Sequence, residues 1–505
     1  MIRVYSVGIL SKTFTPEAIT ILIQELRNRL KELSILTLPL LVESASITIM
    51  GMINTAMVAY LGEVAMAAAG HINNAANLPI AIFSAMTTGG TIVVAQAIGA
   101  RNAKKAAAAG GQAVMMTLAI AIALTLALGI FQRPVINWLF GDSDPLMVEA
   151  GYVYFMYIVW TFPFLAVAQT LFGVMRGAGD VKNPMKINLL MNIVNLSLSY
   201  VLIIGFTVPV LGIEIPTLGM HGAGLAIAFA RFAGMIAALF AVTSKKSVIR
   251  LNALSLFKPT KDIQKDITTL GIPVGAENVL FQVGRLLTQM FVITIGAAAG
   301  TAIMAANTVG QNVMNFVMIP GGALSVTVMV MVGHRVGRRD YEDIPKTIMF
   351  SIGTATVFMG ITSLIMLPAG GLLIRAFNLD PTSATYFWPI FITLIVLSPF
   401  LWPLSFILPS ALRAVGDVKY TMVVSVITMW GFRIILGYLL GITFGLGLMG
   451  VWIGFYVDWG VRSLLFFVRL RRKKWMKLLP VDADNEPIND EPMEDFGISG
   501  TEAVK

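Results

Sequence analysis

Charge is scarce in this chain. Asp, Glu, Lys and Arg make up 12% of its 505 residues, about half of the roughly 25% that a soluble domain carries. That shortage excludes a large water-facing surface. Cysteine is absent altogether, which rules out disulfides and thiolate metal sites. No G-x-x-x-x-G-K-[ST] occurs, so the chain has no phosphate loop of its own. No Ser/His/Asp or zinc-type arrangement appears either, and we expect neither an enzyme nor a resident cofactor. His71, His221 and His334 lie far apart, each near an expected helix end. Without metal-ligand spacing they read as structural or solvated. No secretory signal peptide is visible.

What fills the chain is apolar. Apolar residues account for 57% of it, and its mean hydropathy is +0.80. A helix needs about 20 such residues to cross roughly 30 Å of hydrocarbon. Runs of that kind fall near 36–61, 72–98, 111–131, 150–174, 184–208, 220–243, 268–296, 304–332, 347–369, 384–411, 418–443 and 448–470. The spacing predicts an all-α membrane protein of about twelve transmembrane helices. The net charge of +9 does not mark a nucleic-acid surface, because the basic residues sit between apolar runs. One set of loops holds Arg101, Lys104 and Lys105; Arg176, Lys182 and Lys186; Lys245, Lys246, Arg250, Lys258 and Lys261; Arg335, Arg338 and Arg339; then Arg413 and Lys419. The intervening loops carry little beyond Arg133 and Arg375, with Asp142, Asp144, Glu149 and Asp380. The positive-inside rule then places both termini in the cytoplasm and the chain in the plasma membrane as a multi-pass protein. Residues 1–35 are expected to form a cytoplasmic amphipathic segment, lying at the interface or extending the first span. Residues 472–505 read as an acidic, disordered cytoplasmic tail.

The apolar pattern is written twice. LTLPLLVESASITIMGMINTAMVAYLG places Pro39, Glu43 and Gly62, and LGIPVGAENVLFQVGRLLTQMFVITIG places Pro273, Glu277 and Gly296. All three pairs share the offset 234. VMRGAGDVKNPM, with Arg176, Gly179, Asp180 and Lys182, matches ALRAVGDVKYTM, with Arg413, Gly416, Asp417 and Lys419, at offset 237. Each copy holds about six spans, an even number, so the copies run parallel about an axis along the membrane normal. This predicts an N-terminal lobe at 36–243, a cytoplasmic linker at 244–267 and a C-terminal lobe at 268–471, rocking about a central cavity.

Charge inside a bilayer is expensive and marks function by default. Glu43 and Glu277 occupy matching positions, each one turn after a proline. At about 100° per residue, Glu43 shares a face with Asn54, with Ser46 and Gly51 close by, and Glu277 aligns with Gly284 and Thr288. A buried carboxylate exchanges a proton or Na⁺ for a cationic solute. The competing reading is a hydrated glutamate that trims helix packing. Asn192 and Asn195 either line the cavity or bond helix to helix. Asp458 and Arg462 stand at i, i+4 and are placed to pair, with Arg433 joining them from the preceding helix, as a structural cluster or a gate. Arg231 and Arg285 have no sequence-local partner. The R-x-x-G-D-V-K loops read as tight turns whose Asp and Lys cap helix ends. The 29 Met and 29 Phe residues suit an adaptable greasy cavity, although most must face lipid or neighbouring helices.

At this point the residues resemble the multidrug and toxic compound extrusion (MATE) transporters, over roughly residues 36–475. The resemblance rests on MINTAMVAYLG, AQAIGARNAKKA, the doubled RGAGD and RAVGD loops, WGFR (Trp430–Arg433) and GVWIGFYVDWGVR (Gly450–Arg462). It implies a V-shaped bundle of two six-helix lobes and export of organic cations, often drugs, coupled to H⁺ or Na⁺. This chain departs from the family at its acids. The V-D-T pattern reads I-N-T at Asn54, the N-x-x-x-D pattern reads Asn195 then Ser199, and helix ten has no acid. P-x-x-x-E is retained at Glu43 and Glu277. We therefore expect an antiporter, functional as a monomer, that exports amphiphilic organic cations by alternating access. Two rivals are a lipid-linked oligosaccharide flippase and a non-transporting membrane scaffold. The flippase should line its cavity with several Arg and Lys, and the scaffold would need a sizeable soluble domain.

Overall fold

The computed structural model describes residues 16–141, 143–208, 213–244, 247–251 and 260–479. Residues 1–15, the middle of the expected linker (252–259) and the acidic tail from residue 480 lie outside the described residues. Helix α1 spans Pro16–Ala59, so residues 16–35 of the amphipathic segment continue without a break into the first span. Nothing interrupts it, because no glycine or proline separates Pro16 from Pro39. The first half continues with α2 (Glu63–Gly99), α3 (Ala103–Ile130), the short α4 (Gln132–Phe140), α5 (Pro145–Trp160), α6 (Phe162–Gly177), α7 (Lys182–Ser199) and α8 (Gly219–Thr243). The second half holds α9 (Lys261–Ala299), α10 (Thr301–Val317), α11 (Ile319–Gly337), α12 (Asp343–Met366), the short α13 (Gly370–Ala376), α14 (Pro381–Ala414), α15 (Val418–Thr428) and α16 (Gly447–Arg471).

Among the described residues, eleven helices are long and apolar enough to cross a membrane, or twelve spans when the bent pair α5–α6 counts as one. Several details depart from the expectation. A two-stranded antiparallel hairpin pairs Phe206–Val208 with Ile213–Ile215, so the chain is not purely helical. The run 304–332 is broken at Met318, just before Pro320 opens α11. The run 150–174 bends by 47° at Thr161, ahead of Pro163, as a ring lacking an N–H requires. Arg231 of α8 fills that bend, donating to the Ile158 carbonyl at 3.3 Å and to Thr161 Oγ1 at 2.7 Å. The arginine with no local partner thus adds a second donor to the Ile158 carbonyl, which also accepts from Thr161 Oγ1 at 2.9 Å. In both halves the fifth span ends in π-helical turns, Tyr200–Ile204 after α7 and Met429–Leu436 after α15.

The halves exchange the ends of their first helices. Leu33 of α1 is buried in the core of the second half, while Ile263 and Ile267 of α9 are buried in a core of the first. Leu33 and Ile267 stand 234 residues apart, the offset of the sequence repeat. Helix α9 accordingly starts inside the expected linker. Hydrogen bonds between the halves gather at this end, which also carries the basic loops. Thr37 and Thr327 meet at 3.1 Å, His334 Nε2 meets the Gly177 carbonyl at 2.8 Å, and Gln96 donates to the Ala414 carbonyl at 2.8 Å. Arg335 pairs with Glu32 at 3.0 Å and Arg29 with Asp343 at 2.5 Å.

Helices α2 and α11 cross at this end with no room between them. A Cβ on Gly99 would stand 2.2 Å from the His334 carbonyl oxygen, and one on Gly337 2.0 Å from that of Gln96. Gly99→Ala or Gly337→Ala is expected to weaken the closure by about 1–3 kcal/mol. In either variant a Thr327→Cys reporter, buried in the parent, should react with a maleimide roughly tenfold faster. An unchanged labelling rate would contradict this packing.

Candidate functional site

Two matching ion pairs hold the repeated motifs together. Arg176 ends α6 and Arg413 ends α14, each followed three residues later by a glycine with positive φ, Gly179 at 88° and Gly416 at 93°. The two turns are hydrogen-bonded alike: Asp180 N bonds the Met175 carbonyl and Asp417 N the Leu412 carbonyl, both at 2.9 Å. This left-handed cap needs glycine, and the arginine falls in the last turn with its side chain reaching back along the helix. Arg176 Nη2 and Asn188 Nδ2 both donate to Glu43 Oε1. Arg413 Nη2 donates to Glu277 Oε1 at 2.6 Å. Both carboxylates are almost wholly buried. The turns read from R-x-x-G-D are present, and the cap roles are mixed. Asp180 accepts from Asn183 N at 3.1 Å, whereas Asp417 instead pairs with Arg469 at 2.7 Å.

These pairs change the meaning of the polar stripes. Glu43 and Ser46 face α7 within their own half, where Asn192 Nδ2 donates to Ser46 Oγ at 2.7 Å. Asn192 thus bonds helix to helix. Asn195 and Ser199 are buried on the same helix. Thr288 is buried and donates to the Gly284 carbonyl at 2.8 Å, and a Cβ on Gly284 would meet Met429. The second stripe therefore faces α15 rather than the gap between halves. Asn54 is half-buried, at the margin of the gap. Neither glutamate stands free for a cationic solute, because each already holds a guanidinium.

The Asp458 cluster forms as its spacing implied. Arg462 Nη2 lies 2.7 Å from Asp458 Oδ1, and Arg433 Nη2 lies 2.7 Å from Oδ2. Arg462 Nε also donates to Thr428 Oγ1 at 3.2 Å. Three phenylalanines cage the two guanidinium groups. Phe281 lies 4.9 Å from Arg462 and 5.9 Å from Arg433, Phe406 lies 5.3 Å from Arg462, and Phe455 lies 4.4 Å from Arg433. Phe281 and Phe406 lie far along the chain from this cluster, as Arg176 does from Glu43 and Arg413 from Glu277, so local spacing does not reveal these contacts. The repeat held one usable signal, because Glu43 and Arg176 are 133 residues apart and Glu277 and Arg413 are 136 apart.

Among the described residues, the hydrogen bonds and ion pairs between the halves lie at the closed end. Beyond it, Ile47, Gly51 and Thr55 on α1, Asn74 and Leu78 on α2 and, in the second half, Arg285, Gln289 and Phe316 are exposed. Two helical halves, each with a buried Glu–Arg pair and joined to each other at one end, are the architecture of a two-lobed membrane transporter. The MatE family model matches the chain twice, at residues 39–201 and 273–439, and the two matches start one repeat offset apart. The chain belongs to this family, the multidrug and toxic compound extrusion transporters named above, and is a multi-pass protein of the inner membrane. It is 27% identical over 444 residues to the uncharacterized transporter YisQ of Bacillus subtilis, covering 88% of this chain and 94% of that protein. It is 27% identical over 448 residues to the probable multidrug resistance protein NorM of Thermotoga maritima, covering 88% and 93%. Among solved structures, a MATE protein in a bent conformation shares the fold at a TM-score of 0.77 with 19% identity, over 90% of this chain and 98% of its own.

Proposed function

We propose that this chain is a secondary active exporter of amphiphilic small molecules, a multidrug efflux antiporter driven by an H⁺ or Na⁺ gradient. Its halves alternate access by rocking, and the closed end faces the cytoplasm. One observation carries this reading: the hydrogen bonds and ion pairs between the halves gather at the end bearing the basic loops. Closure at one end of a duplicated bundle is the geometry of a transporter caught in one of two states. The relative from Thermotoga, named a probable multidrug resistance protein, supports the same reading. Cationic substrates are not carried over from the sequence reading, since Glu43 and Glu277 are held by arginines. In this account the two pairs pin α1 to α6 and α9 to α14 so that each half moves as a unit. The family match favours an exporter over a flippase or a scaffold.

Purified protein in lipid vesicles, loaded with an amphiphilic dye, tests the proposal. Imposing pH and sodium gradients separately, we expect one of them to drive dye movement and an ionophore that dissipates it to stop that movement. Movement indifferent to both gradients would refute it.

A further inference from the structure

Three acids deep within the spans are already paired. Glu43 is paired with Arg176, Glu277 with Arg413, and Asp458 with both Arg433 and Arg462. The arginines are in excess. Arg433 and Arg462 share a single carboxylate, Arg231 bonds only neutral oxygens, and Arg285 makes no salt bridge among the described residues. Uncompensated charge in hydrocarbon is costly and needs a counter-charge or water. The interior of this bundle is therefore electropositive.

Arg285 stands where a solute would meet that charge. Gly271 and Gly275 of α9 abut Ala85 of α2 at the closed end. At about 100° per residue, Gln282, Arg285 and Gln289 fall within about 40° of Gly271 on the helix. Their face is centred about 100° from Ile272 and Met290, which are each more than half exposed. One turn below Arg285, Phe281 covers the guanidinium groups of Arg462 and Arg433, and the charge of Arg285 acts on Arg433. Under Phe281, Arg433 Nε is a buried donor without a hydrogen-bond acceptor, while Glu43 Oε2, Glu277 Oε2 and Asp458 Oδ2 are buried acceptors without hydrogen-bond donors. The opposing faces of α1 and α2 offer neutral groups, Thr55, Asn74 and Leu78 among them. Glu63 is the acid on that side, and it stands at the outer mouth as the first residue of α2.

We propose that the gap takes amphiphilic organic anions, a carboxylate or sulfonate on an apolar body, with Arg285 receiving the anionic group and Phe281 and Phe316 contacting the body. This names the substrate class of the exporter proposed above and rests on that reading.

Equilibrium binding to the purified full chain in detergent tests it, with dansylglycine as the anionic probe and ethidium as the cationic one. The wild type should bind dansylglycine saturably and more tightly than ethidium. Arg285→Gln should weaken dansylglycine by roughly ten- to a hundredfold, the loss of one charge-assisted hydrogen bond. Arg285→Lys, which keeps the charge but not the fork, should lose less than Arg285→Gln. A melting midpoint matching the parent shows that each variant is folded. No saturable dansylglycine binding, tighter binding of ethidium, or equal affinity in wild type and Arg285→Gln would overturn the anion proposal. Gradient-driven dye movement would persist in each of those cases, so the exporter reading fails only on its own experiment.

Discussion

Arg413→Met is expected to lower the stability of the protein by about 3–5 kcal/mol, because it strands Glu277 in the second half with its countercharge gone. The carboxylate is about 5% exposed, so water does not replace the guanidinium. The double variant Glu277→Met, Arg413→Met removes both charges and should recover most of the loss, since a buried pair is often neutral against apolar residues of similar size. Glu277→Met alone should fall between the two, leaving an arginine that is 17% exposed and able to reach toward the interface. The pair at Glu43 should be less forgiving, because Asn188 also donates to that carboxylate and loses its acceptor in any double variant. Thermal midpoints in detergent at one scan rate, read as relative kinetic stability, check the series. A double variant as unstable as Arg413→Met would show that the glutamate is not held by its arginine.

This pairing also separates what the chain displayed from what it hid. Spans, repeat and sidedness rest on signals that add up along the sequence: hydropathy over about 20 residues, a constant offset, and Lys and Arg in alternate loops. Two breaks were foreseeable from Pro163 and Pro320, yet apolar composition ran through them and made single spans of 150–174 and 304–332. The site was harder. Helical arithmetic put Glu43 on a face with Asn54, with Ser46 and Gly51 close by, and Glu277 on one with Gly284 and Thr288, but it could not say what those faces meet. For α9 the answer is its own half, while Arg285 and Gln289 are exposed on another side of the helix. The three-residue cluster of Arg433, Asp458 and Arg462 was readable because two members lie one turn apart. In its aromatic cage, Phe281 and Phe406 lie far along the chain and left no local trace.

An electropositive interior also has an energetic consequence. An anion leaving a cell with a negative interior gains about 2.3 kcal/mol per charge for each 100 mV, whereas a cation must be driven against the same field. Efflux of dansylglycine is therefore expected to be helped by that potential, in addition to any ion exchange.

The central claim is that this bundle transports by opening the end that is closed here. Thr37 of α1 and Thr327 of α11 meet across that end with hydroxyls 3.1 Å apart, a separation that replacement by two cysteines converts readily to a disulfide. The chain has no other cysteine, so Thr37→Cys, Thr327→Cys carries one defined crosslink. Vesicle transport by this variant, measured oxidised and then reduced, is the most direct test. We predict that oxidation cuts dye export at least tenfold, that reductant restores it, and that neither single variant responds to oxidant. Fully crosslinked protein exporting at the reduced rate would contradict alternating access through this closure.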